Sequence, residues 1–185
     1  MITAIINLVN FMDGLDGLVG GCMVLCFLNL SITNDINLFL IVGSLFGFLI
    51  WNWHPAKIFM GDVGSTFLAA SVIGFILENN EHTRVFNGLI ILFPIFADSI
   101  SCLLFRFFSN QNIFKPHKLH LYQRLHQKGM SHGSVSFIYI LLSLIIFLTL
   151  SFLNEIYLFL VLLLQITFGL FLNKYFAAPF KTQIY

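Results

Sequence analysis

The stretch Asn52-Trp53-His54-Pro55-Ala56-Lys57-Ile58-Phe59-Met60-Gly61-Asp62-Val63-Gly64-Ser65 interrupts a chain that is otherwise almost continuously apolar. It lies between two apolar segments and brings together a proline, two glycines, a lysine and an aspartate. Proline and glycine are poorly tolerated inside helices, so we predict that one helix ends here and another begins. Polar residues at such a break between hydrophobic helices indicate a functional site.

The composition of the whole chain indicates a membrane protein. Hydrophobic residues make up 58% of the 185, only 9% are charged, and the mean hydropathy is +0.92. Soluble domains average about 45–50% apolar and about 25% charged residues. The 23 phenylalanines and the lack of alternating strands favour helices over a barrel. We predict an all-α, polytopic helical membrane protein with a single domain over residues 1–185, with about five full transmembrane helices plus a partial N-terminal one.

The predicted spans are apolar runs separated by polar residues. One of them is short against the roughly 20 residues that a span needs. A hydrophilic loop over residues 109–134 precedes the last two. In chain order the predicted segments are Ile2–Phe11 (partial), Leu18–Thr33, Ile36–Trp53, Thr66–Leu77 (short), Val85–Phe108, Val135–Leu153 and Ile156–Asn173.

The basic residues are strongly biased to one face of this predicted topology. That face also receives three polar segments, Asn7–Gly17, Asn52–Ser65 and Phe114–His132, so we expect these segments to meet. Lysine and arginine concentrate on the cytoplasmic side of membrane proteins, which makes this face cytoplasmic. Of the nine basic residues, Arg84 alone falls on the opposite face; the others are Lys57, Arg106, Lys115, Lys118, Arg124, Lys128, Lys174 and Lys181.

The first polar segment contains Asp13-Gly14-Leu15-Asp16-Gly17. Carboxylates three residues apart share a face at helical spacing, and the glycines allow the backbone to approach a ligand closely. The alternative is a plain turn with solvated acids. A calcium loop is excluded because the spacing lacks the required pattern of acidic residues.

The second segment places Asp62 between two glycines where a helix begins. Backbone N–H groups and the helix dipole there favour an anion, whereas an aspartate repels phosphate unless a divalent cation lies between them. Mg²⁺ prefers one or two carboxylates together with phosphate oxygens and water. The combination indicates a metal-bridged diphosphate, and the alternative is an N-capping aspartate.

The third segment, Phe114–His132, has four histidines, four basic residues and no acid. Its positive charge favours binding of a phosphate or a lipid headgroup. The alternative is a basic loop whose only role is to orient the chain in the membrane. His117 and His120 have a spacing that could bind zinc, but we expect the cysteines to lie far away in lipid, which disfavours a zinc site. We interpret the cysteines as packing residues: Cys22, Cys26 and Cys102.

Asp98 lies well inside a predicted span. An intramembrane carboxylate is costly, by roughly 2.5–3.5 kcal/mol on insertion scales, so a functional role is one hypothesis. The other is a helix–helix hydrogen bond with a neighbour such as Ser99 or Ser101. We interpret His54 and His126 as interfacial side chains.

With these blocks in view, the chain resembles the polyprenyl-phosphate N-acetylhexosamine-1-phosphate transferases, a family like glycosyltransferase family 4. Asn7–Gly17 is similar to the family's Asn-x-x-Asn-x-x-Asp-Gly-x-Asp-Gly block. Asn52–Ser65 is similar to its Asn-x-x-Pro-Ala-x-x-Phe-Met-Gly-Asp-x-Gly-Ser block. His117–Arg124 resembles the histidine loop of the undecaprenyl-phosphate GlcNAc-1-phosphate transferase branch. The likeness runs through His132.

The resemblance implies a reaction in which undecaprenyl phosphate attacks the β-phosphate of a UDP-sugar, a step in cell-envelope polysaccharide synthesis. UMP leaves, and the sugar remains on a lipid diphosphate. It also implies Mg²⁺ as cofactor, with Mn²⁺ as an alternative, and the bacterial plasma membrane with the active face cytoplasmic. The implied partners are a UDP-sugar, undecaprenyl phosphate and membrane lipid, with no nucleic acid.

Residue roles follow from the same resemblance. The implied metal ligands are Asp62 and Asp13. The implied catalytic residues are Asp13, Asp16, Asp62, His117 and His120. The implied substrate-binding residues are Asn7, Asn10, Asn52, Phe59, Gly61 and Arg124, with Phe59 and Gly61 at the uracil.

The chain departs from the family in one respect. The family has about ten spans and an Asp-Asp pair on an early cytoplasmic loop, whereas this sequence contains no Asp-Asp. We therefore expect it to match the C-terminal half, as a fragment, a truncated reading frame or one part of a split protein, joined by an N-terminal half or a homodimer partner.

Three other functions are weighed against the transferase. A non-catalytic membrane remnant or partner subunit is the main alternative. A transporter would place charges at a cavity in the middle of the membrane. A CDP-alcohol phosphotransferase needs Asp-Gly-x-x-Ala-Arg, which Asp13-Gly14-Leu15-Asp16 does not continue.

Overall fold

The computed structural model describes residues 2–33, 35–78, 87–113, 115–153 and 155–180. Within those ranges all regular structure is helical and no strand occurs, which confirms the predicted all-α class. Arg84 and Lys181, used in the topology argument, lie outside the described residues, as does the start of the predicted Val85–Phe108 span.

The described residues contain the following helices. A 3₁₀ turn, Ile36–Leu38, leads into the third of them. In chain order they are α1 (Ile2–Asn10), α2 (Leu18–Thr33), α3 (Phe39–Asn52), α4 (Gly61–Glu78), α5 (Phe93–Phe108), α6 (Leu121–Gln127), α7 (His132–Phe152) and α8 (Glu155–Tyr175).

The ends of these helices follow from local chemistry. α3 stops at Asn52, and Trp53 after it is extended ahead of the proline. α4 starts at Gly61, whose φ of 65° lies in the left-handed region that glycine enters at little cost. α7 starts after Ser131, whose hydroxyl accepts a hydrogen bond of 3.1 Å from the Ser134 N–H and caps the helix.

Over its described residues, the predicted span Val85–Phe108 is not one continuous helix. Residues 87–90 are helical, residues 91–92 form a turn, and α5 begins only at Phe93. The physical reason is Pro94, which has no N–H to donate to the preceding turn and is tolerated only in the first turn of a helix.

α2 lies at the centre of the bundle. It is buried on nearly every side, from Leu18 to Ser31, and packs against α3, α4 and α7. α8 packs on the outside of α7 and turns large apolar side chains outward, with Phe159 68% and Leu164 66% exposed. Apolar surface this extensive is unfavourable in water and suits contact with lipid.

Among the described residues, two helical segments, His132–Phe152 and Ile156–Tyr175, are long and apolar enough to cross a membrane. Leu18–Thr33, Ile36–Asn52 and Gly61–Leu77 are apolar but shorter. At 1.5 Å per residue such helices rise roughly 24–26 Å, slightly less than a hydrocarbon core of about 30 Å. Together with the apolar outer faces, these lengths describe an all-α membrane protein.

Candidate functional site

The structure brings the three polar segments together at one end of the bundle. Asn52, at the end of α3, connects the first two of them. Its side-chain oxygen accepts a 3.0 Å hydrogen bond from the Gly17 N–H, and its amide nitrogen donates to the Ile58 carbonyl at 2.9 Å. The Asn52 side chain is buried and fully engaged with backbone, so it holds the two segments in register.

A second hydrogen bond joins the start of α4 to the end of α1. The Ser65 hydroxyl donates to Asn10 Oδ1 at 2.5 Å, and Ser65 is completely buried. Asn7, one turn earlier on α1, is exposed. Because of this contact, the loop after α1 and the first turn of α4 lie beside each other.

Asp13 and Asp62 lie close enough for their charges to interact. Burial, and to a lesser extent the negative charge of Asp62, raise the pKa of Asp13 to about 6. Asp62 is exposed and is the second residue of α4, inside the first turn and not at an N-cap position. Two neighbouring carboxylates of this kind favour a bound cation that would relieve their repulsion.

Asp16 is held by groups from both other segments. Its Oδ2 lies 2.8 Å from His54 Nδ1 and accepts a 3.3 Å hydrogen bond from the Ala56 N–H, and its Oδ1 lies 3.1 Å from His132 Nδ1. Burial raises the Asp16 pKa, but the two imidazoles and the Ala56 N–H outweigh it and leave the pKa below its usual value. His54, interpreted from the sequence as an interfacial side chain, contacts Asp16. No local sequence pattern predicts this contact.

Asp98 positions the histidine-containing segment. Its Oδ1 accepts the Leu121 N–H at 2.7 Å, and its Oδ2 accepts the Tyr122 N–H at 3.0 Å and the Tyr139 hydroxyl at 2.7 Å. Leu121 and Tyr122 are the first two residues of α6, whose N–H groups have no partner within the helix. The buried carboxylate therefore caps α6 and ties it to α7.

The Asp98 carboxylate does hydrogen-bond to neighbouring helices, but its suggested partners Ser99 and Ser101 are wrong. Ser99 donates instead to the Leu8 carbonyl at 3.0 Å, and Ser101 donates to the main-chain oxygen of Asp98 at 3.0 Å. Donors from α6 and α7 take up the side chain because backbone N–H groups at a helix start are unsatisfied without it.

His117 and His120 stack on each other with their ring centroids 5.0 Å apart. His120 is buried and also lies 6.1 Å, centroid to centroid, from the ring of Phe11. The Tyr122 hydroxyl donates to the Phe11 carbonyl at 3.0 Å, so the third segment is attached to the first. His120 Nδ1 makes no hydrogen bond, and Asp98 Oδ1 is 3.7 Å away from it.

The expectation that the cysteines lie far from this loop is wrong for Cys102. Its sulfur and one ring nitrogen each of His117 and His120 all lie within 4.8 Å of one another. Cys102 follows Asp98 by one helical turn, so both residues face the loop that Asp98 caps. Cys22 and Cys26 are buried in α2, as expected of packing residues.

Arg124 is buried and points toward the C-terminal residues. Its Nε donates to the Leu119 carbonyl at 3.0 Å, its Nη1 donates to the Ala178 carbonyl at 2.9 Å, and its Nη2 donates to Asn173 Oδ1. Burial lowers the pKa of the guanidinium. In this arrangement Arg124 holds the segment after α8 against α6, and its phosphate-binding role stays a prediction.

The residues predicted to surround uracil lie at the surface of the Asn52–Ser65 segment. Phe59 is 77% exposed, and the position where a Cβ of Gly61 would lie is open. The space beside them could admit a ligand, and their assignment to uracil stays a prediction.

Comparison with known proteins agrees with the motifs. Residues 1–80 match the family model described as glycosyl transferase family 4. The chain is 36% identical over 154 residues to a probable undecaprenyl-phosphate N-acetylglucosaminyl 1-phosphate transferase of Bacillus subtilis, covering 76% of the chain and 43% of that protein. It is 32% identical over 163 residues to decaprenyl-phosphate N-acetylglucosaminephosphotransferase of Mycobacterium leprae, covering 71% and 41%.

A phospho-N-acetylmuramoyl-pentapeptide-transferase of Symbiobacterium thermophilum is 37% identical over 145 residues, covering 73% of the chain and 42% of that protein. The chain thus spans less than half the length of these curated relatives. From the matches and the three motifs in order, the chain belongs to glycosyl transferase family 4, the family of the polyprenyl-phosphate N-acetylhexosamine-1-phosphate transferases.

Proposed function

We propose that this chain transfers a sugar-1-phosphate, of the N-acetylhexosamine class, from a UDP-sugar to undecaprenyl phosphate. The products are a lipid-diphosphate-linked sugar and UMP, and the reaction serves cell-envelope polysaccharide synthesis. The chain crosses the bacterial plasma membrane several times, and its site faces the cytoplasm, where UDP-sugars are made. The positive-inside bias of the sequence supports this orientation.

The observation that carries the proposal is the carboxylate pair Asp13 and Asp62 at the junction of the three segments. The pKa of Asp13 is raised first by burial and second by Asp62, so ionising Asp13 beside Asp62 costs free energy. A divalent cation offsets that cost, and oxygen donors of this type suit Mg²⁺. We assign the cation to Asp62 and Asp13, with Mn²⁺ as an alternative.

The other residues of the site bind and orient. Asp16, kept ionised by the imidazoles and the Ala56 N–H, is a fixed acceptor for hydroxyl groups of the nucleotide. Asn10 and Asn52 hold the segments that carry the carboxylates. Phe59 and Gly61 receive the uracil, and the exposed Asn7 lines the rim.

The charges of the loop complement the anionic substrates. His117 and His120 face the lipid phosphate and the diphosphate, and Arg124 supports this loop from behind. When bound, the cation supplies charge neutralisation at the diphosphate. Fixed donors directed at developing negative charge stabilise a transition state without reorganisation. Asp98 contributes by capping α6 and so fixing the position of the histidine-containing loop before it.

The test is the Asp62→Asn variant, assayed in membranes with radiolabelled UDP-GlcNAc, undecaprenyl phosphate and Mg²⁺. Asparagine keeps the size of the side chain but removes the charge that holds the cation. We expect organic-extractable label to fall by about 100-fold or more. Asp35→Asn, on the exposed turn before α3, is the matched control and keeps the unmodified rate.

Unchanged turnover of the Asp62→Asn variant at every Mg²⁺ concentration would contradict the metal assignment. The alternative function, a non-catalytic membrane component, predicts no extractable label from the unmodified chain in any combination of Mg²⁺ and lipid phosphate. Label that requires both excludes it.

A further inference from the structure

Cys102 on α5 forms a compact donor set with His117 and His120 of the loop. The sulfur and one nitrogen of each ring lie within 4.8 Å of one another. A thiolate with two imidazoles is the donor set that zinc prefers among the biological divalent cations, whereas Mg²⁺ takes oxygen ligands. The donors come from two elements that the packing of α6 on α5 brings together.

A second observation indicates a missing partner in this cluster. His120 is only 3% exposed, yet its Nδ1 makes no hydrogen bond. The nearest candidate is Asp98 Oδ1, 3.7 Å away, which is too far for a hydrogen bond. A buried polar atom without a partner costs free energy, and a metal ion bound by His120 would offset that cost.

Open space adjoins the sulfur of this cluster, and one of its imidazoles is partly exposed. Cys102 lines a cavity of about 390 Å³ between α5, α7 and α8, and His117 is only half-buried on the loop side. In a tetrahedral zinc site the donors lie about 2.0–2.3 Å from the metal, so these side chains would have to close slightly from the observed spacing.

We propose that Cys102, His117 and His120 form a binding site for Zn²⁺ or a similar transition-metal ion. On binding, the Cys102 thiol loses its proton to solvent and a metal–sulfur bond forms, while the two imidazoles bind as neutral ligands. The fourth position stays open to water or to a phosphate oxygen.

A second cluster, Asp16 with His54 and His132, meets the same distance limit. It is the weaker candidate because His54 is exposed, because the Asp16 carboxylate already accepts a hydrogen bond from the Ala56 N–H, and because the cluster offers no sulfur. The two clusters share no residue, so variants distinguish them.

One consequence rests on the proposed function. The metal would occupy His117 and His120, which that function assigns to phosphates. Micromolar Zn²⁺ would then inhibit the transferase, and a chelator would restore it. The binding test below uses no substrate, so its failure leaves the transferase proposal standing, and failure of the transferase leaves the metal site standing.

The experiment titrates the purified full chain in detergent with Zn²⁺ and with Co²⁺ as its spectroscopic substitute. We expect one tight site and a cobalt–thiolate charge-transfer absorption in the near ultraviolet. Cys102→Ser should remove that absorption and weaken binding more than about 100-fold, since second-shell partners alone are worth 10- to 100-fold. Cys22→Ser, in the buried centre of α2, is the matched control and should bind as the unmodified chain does.

Three results would overturn the proposal. One is tight Co²⁺ binding without a thiolate band in the unmodified chain, a measurement that does not depend on how any variant folds. Another is loss of binding in His132→Asn with normal binding in Cys102→Ser, which would move the site to Asp16. The third is the absence of a stoichiometric site in the unmodified chain.

Discussion

At the scale of single residues, Asp13 is a carboxylate whose ionisation opposes folding. Its pKa is raised to about 6, by burial first and by Asp62 second, from an ordinary value of 3.8. A raised carboxyl pKa means that the folded state holds the proton more tightly than the unfolded state does. The stability associated with that proton is fully present below pH 3.8 and is lost as the pH rises through about 6.

Asp13→Asn should therefore stabilise the metal-free protein at pH 8. After allowing for solvent screening of this partly exposed group, we expect about 1 kcal/mol. The gain should be small at pH 4, where the native carboxyl is protonated. Thermal unfolding in detergent with a chelator, followed by tryptophan fluorescence, measures the stability gain at each of the two pH values. An equal shift at the two pH values would show that Asp13 is not titrating as described.

Gly17 is a second residue with a specific role, since both its backbone conformation and its surroundings favour glycine. Its φ is +76°, and a Cβ there would lie 2.8 Å from the Trp53 ring. We expect Gly17→Ala to cost about 1–3 kcal/mol through backbone strain and displacement of the ring. It should also weaken the Gly17–Asn52 hydrogen bond.

The control for that substitution is Gly43→Ala in α3, where nothing lies within 4 Å of the added Cβ. Alanine is the better helix former by up to about 1 kcal/mol, so this variant should be neutral or more stable. Chemical denaturation of both in the same detergent compares them. Equal changes in stability for the two variants would show that Gly17 has no special role.

At the scale of elements, α6 depends on a carboxylate that belongs to another helix. Asp98→Ala would leave two backbone N–H groups and the Tyr139 hydroxyl without an acceptor. We expect a loss of about 2–5 kcal/mol, with the effect concentrated in α6. Hydrogen exchange should show lost protection at Leu121 and Tyr122 before any change in the middle of α7.

The matched control for α6 is Ser101→Ala, which removes only a hydroxyl bond to the Asp98 main-chain oxygen. It should cost less than about 1 kcal/mol and leave the exchange of α6 unchanged. Unaltered protection of α6 in Asp98→Ala would show that the helix is held by its apolar packing instead.

At the scale of the whole molecule, the convergence of three segments requires that they share one side of the membrane. Lys57 and Ser109 are exposed, and Asp35 is exposed at the other end of α3. The native cysteines are buried, so they should not react with an impermeant maleimide. Lys57→Cys and Ser109→Cys should be labelled from the same side of sealed vesicles, and Asp35→Cys from the opposite side. Labelling of Lys57→Cys and Ser109→Cys from opposite sides would be incompatible with the shared site.

Much of this architecture is readable from the sequence, because it depends on composition and order. Apolar runs of span-like length and the scarcity of charge predict a helical membrane protein. The breaks at Pro55 and Gly61 predict where α3 and α4 meet, whereas Pro94 interrupts a helix inside a longer apolar run. Alternating crossings place every second polar segment on one face, which is why the meeting of Asn7–Gly17, Asn52–Ser65 and Phe114–His132 could be predicted.

Only the tertiary structure decided which side chains touch across these segments. Asp98 caps α6, Arg124 turns to the residues after α8, His54 holds Asp16, and Cys102 meets the paired histidines. These contacts depend on how far each helix is rotated and shifted against its neighbours. Packing of whole apolar faces sets that rotation and shift, and no local pattern in the sequence encodes them. The sequence by itself determined which groups reach the site, and packing determined which of them bind each other there.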